Sequence, residues 1–137
     1  MPHIFETLSF KTENKASMDI TSAIENVVRN NSVKNGILIL SILHTSCSLL
    51  VQENADESVQ KDIRNFLEKI APEKNYLHNT EGPDDMPAHL KTLLTQTHLC
   101  LSVMNGKLIL GAWQGVFLLE HKINKKTRYV NLHILKE

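Results

Sequence analysis

Apolar and polar residues alternate along HIFETLSFKT at 3–12, with Ile4, Glu6, Leu8 and Phe10 opposed to Phe5, Thr7 and Ser9. A period of two is the mark of a strand lying on a core. The period then lengthens. Ile20, Ile24, Val27 and Val28 recur at helical spacing across 19–30, with Ser17 or Asp19 placed to cap the first turn. Asn35-Gly36 breaks the chain before two apolar, β-rich runs at 37–43 and 48–52, which the polar stretch HTSCS separates. The clearest helix is expected over 56–70, where Val59, Ile63, Phe66, Leu67 and Ile70 form one stripe and Pro72 follows. Asn54 or Asp56 is a suitable cap for it.

A shorter helix should begin inside HNTEGPDDMPAH at 78–89. Pro87 fits its first turn, Asp84 or Asp85 can cap it, and Leu90, Leu93 and Leu94 are expected on its buried face. HLCLSVM and KLILGAW flank Asn105-Gly106, a strong hairpin signal because a type I′ turn needs positive φ at both central residues. QGVFLLEH and RYVNLHIL supply two more strands around the basic turn KINKKT. The expected fold class is α+β, with one domain over 1–137, sheet dominating the core and an antiparallel meander at the C-terminal end.

Fifteen basic and fifteen acidic side chains leave a formal net charge of +0, so no global field draws the chain to nucleic acid or a membrane. Low net charge also eases self-association. Runs such as GILILSIL are too short to span a bilayer, and MPHIFETLSF lacks the pattern of a secretory signal. Cys47 and Cys100 are too few and too far apart for a disulfide framework. A reducing, cytoplasmic location is the expectation.

Seven histidines divide by position. His3, His98 and His133 lie in strand patterns and are expected to be structural or at the surface. His44, His78, His89 and His121 stand where regular structure starts or stops, and there a rigid sheet presents groups to a pocket. HNTEGPDDMPAH adds the carboxylates of Glu81, Asp84 and Asp85, and Asp85 and His89 share a helix face at i,i+4. No HExxH or CxxC pattern is present. From the residues alone the segment is either a capped helix start or a reactive site. Two aspartates repel a bare phosphate from that helix start, whereas a divalent cation would reconcile the two.

Ser46 shares a strand face with His44, but no third member completes a nucleophilic triad, and Cys47 reads as a small buried hydrophobe. GAWQG at 111–115 is either a tight bend with a core indole or an aromatic wall, Trp113, with Gln114 as a hydrogen-bonding arm. Glu53 and Asn54 are either solvated cap residues or a second pocket wall.

Taken in order, HTSCSLLVQENAD (44–56), HNTEGPDDMPAH (78–89) and GAWQGVFLLEHK (111–122) strongly resemble the YjbQ family. The resemblance implies a β-sandwich, mixed or antiparallel with two to three helices, assembled as a homotrimer with pockets at or near subunit boundaries. It also implies a secondary thiamine-phosphate synthase activity, which joins a hydroxymethylpyrimidine diphosphate to a thiazole phosphate and releases pyrophosphate. On that basis Glu81, Asp84, Asp85 and His89 are the expected catalytic residues. Thr45, Ser46, Glu53, Asn54, Trp113, Gln114 and Gly115 are the expected substrate contacts. His44, His78, His89 and His121 are the expected ligands of a divalent metal, magnesium or zinc, and the partner is a phosphorylated small molecule. The chain departs from the family in carrying Cys47 for alanine, Gln52 for asparagine and Lys122 for arginine, and lysine lacks arginine's bidentate fork. The rival readings are a metal-dependent hydrolase of a small substrate and a non-enzymatic trimeric module that binds metal or a small molecule.

Overall fold

The computed structural model describes residues 1–137. In chain order the elements are β1 (His3–Thr12), β2 (Ser17–Asp19), α1 (Thr21–Asn30), β3 (Gly36–Ile42), β4 (Cys47–Glu53), α2 (Glu57–Ile70), α3 (Asp85–Leu94), β5 (His98–Met104), β6 (Lys107–Leu108), β7 (Gln114–Glu120) and β8 (Lys126–Lys136). The strands form a five-stranded sheet, β1-β8-β3-β5-β6, and a three-stranded sheet, β2-β7-β4. All pairings between these strands are antiparallel, which settles the mixed-or-antiparallel alternative.

The expected meander does not form. β7 leaves for the second sheet, and β8 inserts between β1 and β3. The reason lies in β7, where Val116, Phe117, Leu118 and Leu119 are all buried. A strand apolar on both faces needs a cover on each side. The first face meets the large sheet across a shared core that includes Leu38, Leu40, Leu49, Leu118 and Leu132, with Ile24 and Val28 of α1 closing it. The second face carries Phe117 and Leu119 against Leu67 and Ile63 of α2. The Asn105-Gly106 turn forms as expected, with φ of 53° and 78°, but only Lys107 and Leu108 continue as strand.

Helix starts differ in detail. β2 occupies the residues expected to open α1, and Asp19 accepts from the Thr21 N–H and hydroxyl just ahead of it. Asp56 caps α2 as expected, accepting from Ser58 N at 2.9 Å. The prediction for α3 fails on its buried face. Leu93 and Leu94 are 78% and 55% exposed, while Asp85, Ala88 and Lys91 face inward. The polar residues turn in because each finds a charged partner there: Lys122 for Asp85, Glu68 for Lys91. No helix is long and apolar enough to cross a membrane.

Candidate metal centre and a second cluster

β4 and β7 pair along their whole length, from Cys47 opposite Glu120 to Glu53 opposite Gln114. At a strand rise near 3.3 Å per residue, the two ends lie about 20 Å apart. The expected site residues divide between these ends.

At the first end, α3 begins against the strand ends. Asp85 Oδ2 meets His78 Nε2 at 2.6 Å and His89 Nε2 at 3.0 Å. One ligand atom from each of these three residues lies within 4.8 Å of the others. His89 Nδ1 donates to the Thr45 carbonyl at 2.7 Å. A carbonyl only accepts, so a neutral His89 turns a bare Nε2 lone pair toward a carboxylate. Only a second ring proton or a cation at that point relieves the conflict. A backbone carbonyl that fixes the tautomer is the usual second shell of a metal-binding imidazole. Two imidazoles and one carboxylate also form a coherent donor set for a transition ion, so the residues fit a metal.

The other Asp85 oxygen is held by Lys122 Nζ at 3.0 Å, and the same ammonium reaches Asp84 at 3.1 Å and the Glu81 carbonyl at 3.1 Å. Asp84 does not cap α3 with its side chain, and instead accepts from Ile123 N at 3.0 Å. Burial pushes the Asp85 carboxyl upward, but the bonds from His78 and Lys122 and the charge of Lys122 outweigh it and hold it at about 2. Burial likewise opposes the Lys122 charge, yet its bonds to Asp85 and Asp84 leave its pKa raised. Asp85 thus stays a carboxylate at any physiological pH. Glu81 contributes its carbonyl here, and its side chain is exposed.

The four expected metal histidines do not converge. His44 Nε2 accepts from Tyr129 N at 2.8 Å and its ring stacks on Tyr129. Burial, then the nearby Arg128 charge, lowers its pKa and keeps it neutral. It lines a cleft of about 480 Å³ with Thr45 and His89, beside the cluster rather than in it. His121 is fully buried, with Nε2 on the Ser48 hydroxyl at 2.8 Å and Nδ1 unpartnered. Its seat at the end of a strand buried on both faces puts it inside the protein. His44 is no general base for Ser46, because its Nε2 lone pair is taken by the Tyr129 N–H, and the Ser46 hydroxyl accepts from Arg128 at 2.8 Å. That guanidinium is itself clamped by Glu120, at 2.6 Å through each of two nitrogens. Cys47 is buried, and burial carries its thiol up to about 12.

The second end gathers the remaining expected contacts. Asn54 N donates to the Trp113 carbonyl at 3.0 Å, and Gln114 Oε1 accepts from Gly111 N at 2.7 Å. A side chain at Gly115 would sit 3.1 Å from Asn54 Cβ and from Asp19 Oδ2, so glycine is what lets this corner close. Trp113 is 68% exposed, which removes the core-indole alternative. Within one chain, then, the three motifs form two clusters and not one pocket.

Three structural residues escaped the sequence reading: Arg128, Lys91 and Arg64. Arg128 stands in register with the inward positions Val130, Leu132 and Ile134, and a charge at an inward position was the available signal. Arg64 spends its donors on Ser17, Ala16 and the Glu120 carbonyl.

The model of the family described as UPF0047 protein YjbQ-like matches residues 6–137. A UPF0047 protein of Synechocystis is 42% identical over 134 residues, covering 96% of this chain and 91% of its own. The UPF0047 protein YjbQ of Escherichia coli O157:H7 is 36% identical over 127 residues, covering 91% and 92%. A conserved hypothetical protein of Thermus thermophilus, known as a crystal structure, superposes with a TM-score of 0.84 at 36% identity over 95% of this chain and 99% of its own. A YbjQ-like protein of unknown function from Sulfolobus solfataricus shares the fold with a TM-score of 0.91, at 24% identity and 99% coverage of both chains.

Proposed function

The chain belongs to the UPF0047 YjbQ-like family, and from that premise we propose that it is a metal-assisted enzyme acting on a phosphorylated small molecule. The specific reaction proposed is of the secondary thiamine-phosphate synthase type, joining a hydroxymethylpyrimidine diphosphate to a thiazole phosphate with loss of pyrophosphate. The observation that carries the proposal is the convergence of one ligand atom each from His78, Asp85 and His89, with His89 held from behind by the Thr45 carbonyl. His78, Asp85 and His89 would hold the ion, and two nitrogen donors favour zinc or another transition ion over magnesium. Bound there, a divalent ion would supply Lewis acidity toward an anionic leaving group.

The chain's own residues prepare that position. Lys122 pins the far oxygen of Asp85, so the near oxygen keeps one orientation. Asp84 anchors the turn through Ile123 N, and Pro87, buried in the first turn of α3, stiffens it. His44 and Thr45 line the adjoining cleft, where a neutral His44, its Nε2 taken by the Tyr129 N–H, has its Nδ1–H to donate without adding charge. A homotrimer is part of the proposal, since the cluster at the other end of β4 reaches this one only from a second copy. The unpaired Cys47 and Cys100 suit a cytoplasmic setting.

Purified protein should carry close to one equivalent of transition metal by elemental analysis, and Asp85→Ala should lose both the metal and the formation of thiamine phosphate. Full synthase activity in Asp85→Ala would remove the reaction. A three-residue ligand set also leaves coordination open to water, the arrangement of catalytic zinc in hydrolases. If the metal is present but only phosphate release from small esters is found, the hydrolase reading takes its place.

A further inference from the structure

Beside Gln114, at the end of β4 and β7 remote from the imidazole cluster of the same chain, lies a cleft of about 780 Å³ whose cationic wall the proposed chemistry does not assign. That volume is typical of sites for small organic ligands. Val28 and Val33 form a buried floor, and Leu108 and Leu110 are half-buried in the facing wall. Arg29, Lys34 and Lys107 stand around this apolar bed, and none of the three makes an ion pair. Glu25 is the only acid in the lining. Three positive charges against one negative leave two, which matches a phosphate monoester in its dianionic form.

Gln114 gives the cleft direction. Its carbonyl oxygen is occupied by the Gly111 N–H, so its amide N–H groups are the side left open to a ligand. A cleft of about 340 Å³ lined by Lys11, Lys125, Lys126 and Glu13 is equally positive but has no apolar lining. The neighbouring cleft of about 610 Å³, which shares Asn54, sets Lys15, Lys61 and Arg64 against Asp19, Glu53, Asp56 and Glu57. Its Arg64 is already engaged by Ser17, Ala16 and the Glu120 carbonyl.

We infer that the cleft between α1, the β5–β6 turn and Gln114 binds a small organic phosphate, with the phosphate among Arg29, Lys34 and Lys107 and an apolar body on Val28, Val33, Leu108 and Leu110. Within one chain the site lies apart from the His78–Asp85–His89 cluster, and phosphate binding there does not depend on a metal.

Calorimetric titration of the full chain with phenyl phosphate, in buffer containing a chelator, tests it. Phenyl phosphate should bind saturably, and more tightly than inorganic phosphate or phenol alone. Arg29→Met and Lys107→Met should each weaken it about tenfold, the worth of one charge-assisted hydrogen bond. Gln114→Glu keeps the acceptor for Gly111 N–H but replaces the donors with a negative charge, and should abolish binding with the circular dichroism unchanged. Lys125→Met, at a cationic surface elsewhere, and Asp85→Asn should bind as the wild type does. Absence of saturable heat overturns the inference, as does an equal loss in Lys125→Met, which would mean diffuse charge attraction. Loss of binding in Asp85→Asn overturns it too, by moving the ligand to the other cluster.

Discussion

His121 sits in the interior among positive charges. Burial first, then Arg64, Lys91 and Arg128, hold its pKa down at about 3. An unfolded chain binds that proton near pH 6.5, so the unfolded state carries more protons between those two values. Stability from His121 is therefore complete above pH 6.5 and drains away as pH falls toward 3, by up to about 1.4 kcal/mol per pH unit. Urea unfolding between pH 4.5 and 6.5 should show a shallower dependence in His121→Gln than in the wild type, and equal slopes would refute this. His121 also shows the limit of reading a residue by its place in the chain. Its position at a strand end was legible, but whether that end opens to solvent or into the core depends on partners far away. Asp85 and His89 were legible as a pair because a helix fixes i,i+4 neighbours. His78 lies seven residues before Asp85 in an irregular stretch, and only the folded turn brings its ring within 2.6 Å.

Among the elements, α3 departs most from its pattern. Leucines at 90, 93 and 94 predict an apolar inner face, yet the inward positions are Asp85, Ala88 and Lys91. Hydrophobic periodicity cannot anticipate this, since Lys122 and Glu68 make the polar face burial-competent and both lie outside the helix. Ala88 is fully buried and sets how closely the helix approaches the sheet. Ala88→Leu should cost about 1–3 kcal/mol by overpacking, seen as a lower melting temperature. It should also weaken metal binding in a competition titration, because Asp85 and His89 ride on the helix and His78 does not. An unchanged metal affinity alongside the lower melting temperature would show that the cluster tolerates the shift. By contrast, α2 and the Asn105-Gly106 turn follow their local signals closely, for there the cap and the positive φ are properties of the segment itself.

For the molecule as a whole, the class of the fold and every element but β2 were readable, and the sheet assignment was not. Alternation shows that β7 and β8 are strands, but neither period nor propensity shows which strands they join. The outward apolar residues point beyond a single chain. Leu77 and Leu93 are exposed near the His78–Asp85–His89 cluster, and Phe5, Ile37 and Ile39 lie on the outer face of the large sheet. Sedimentation equilibrium should give three chain masses for the wild type, and Leu93→Lys should reduce that to one with the circular dichroism preserved. A monomeric wild type would remove the trimer. The position of β8 has another consequence, felt while the chain is being made. β8 fills the middle of the large sheet, with β1 on one side and β3 on the other. On the ribosome, both neighbours wait with open hydrogen-bonding edges until residues 126–136 have left the exit tunnel. A transcript or protease event that removes those residues does not trim the fold. It leaves two sticky strands with nothing between them, and such fragments should aggregate or be degraded and not persist as a smaller domain.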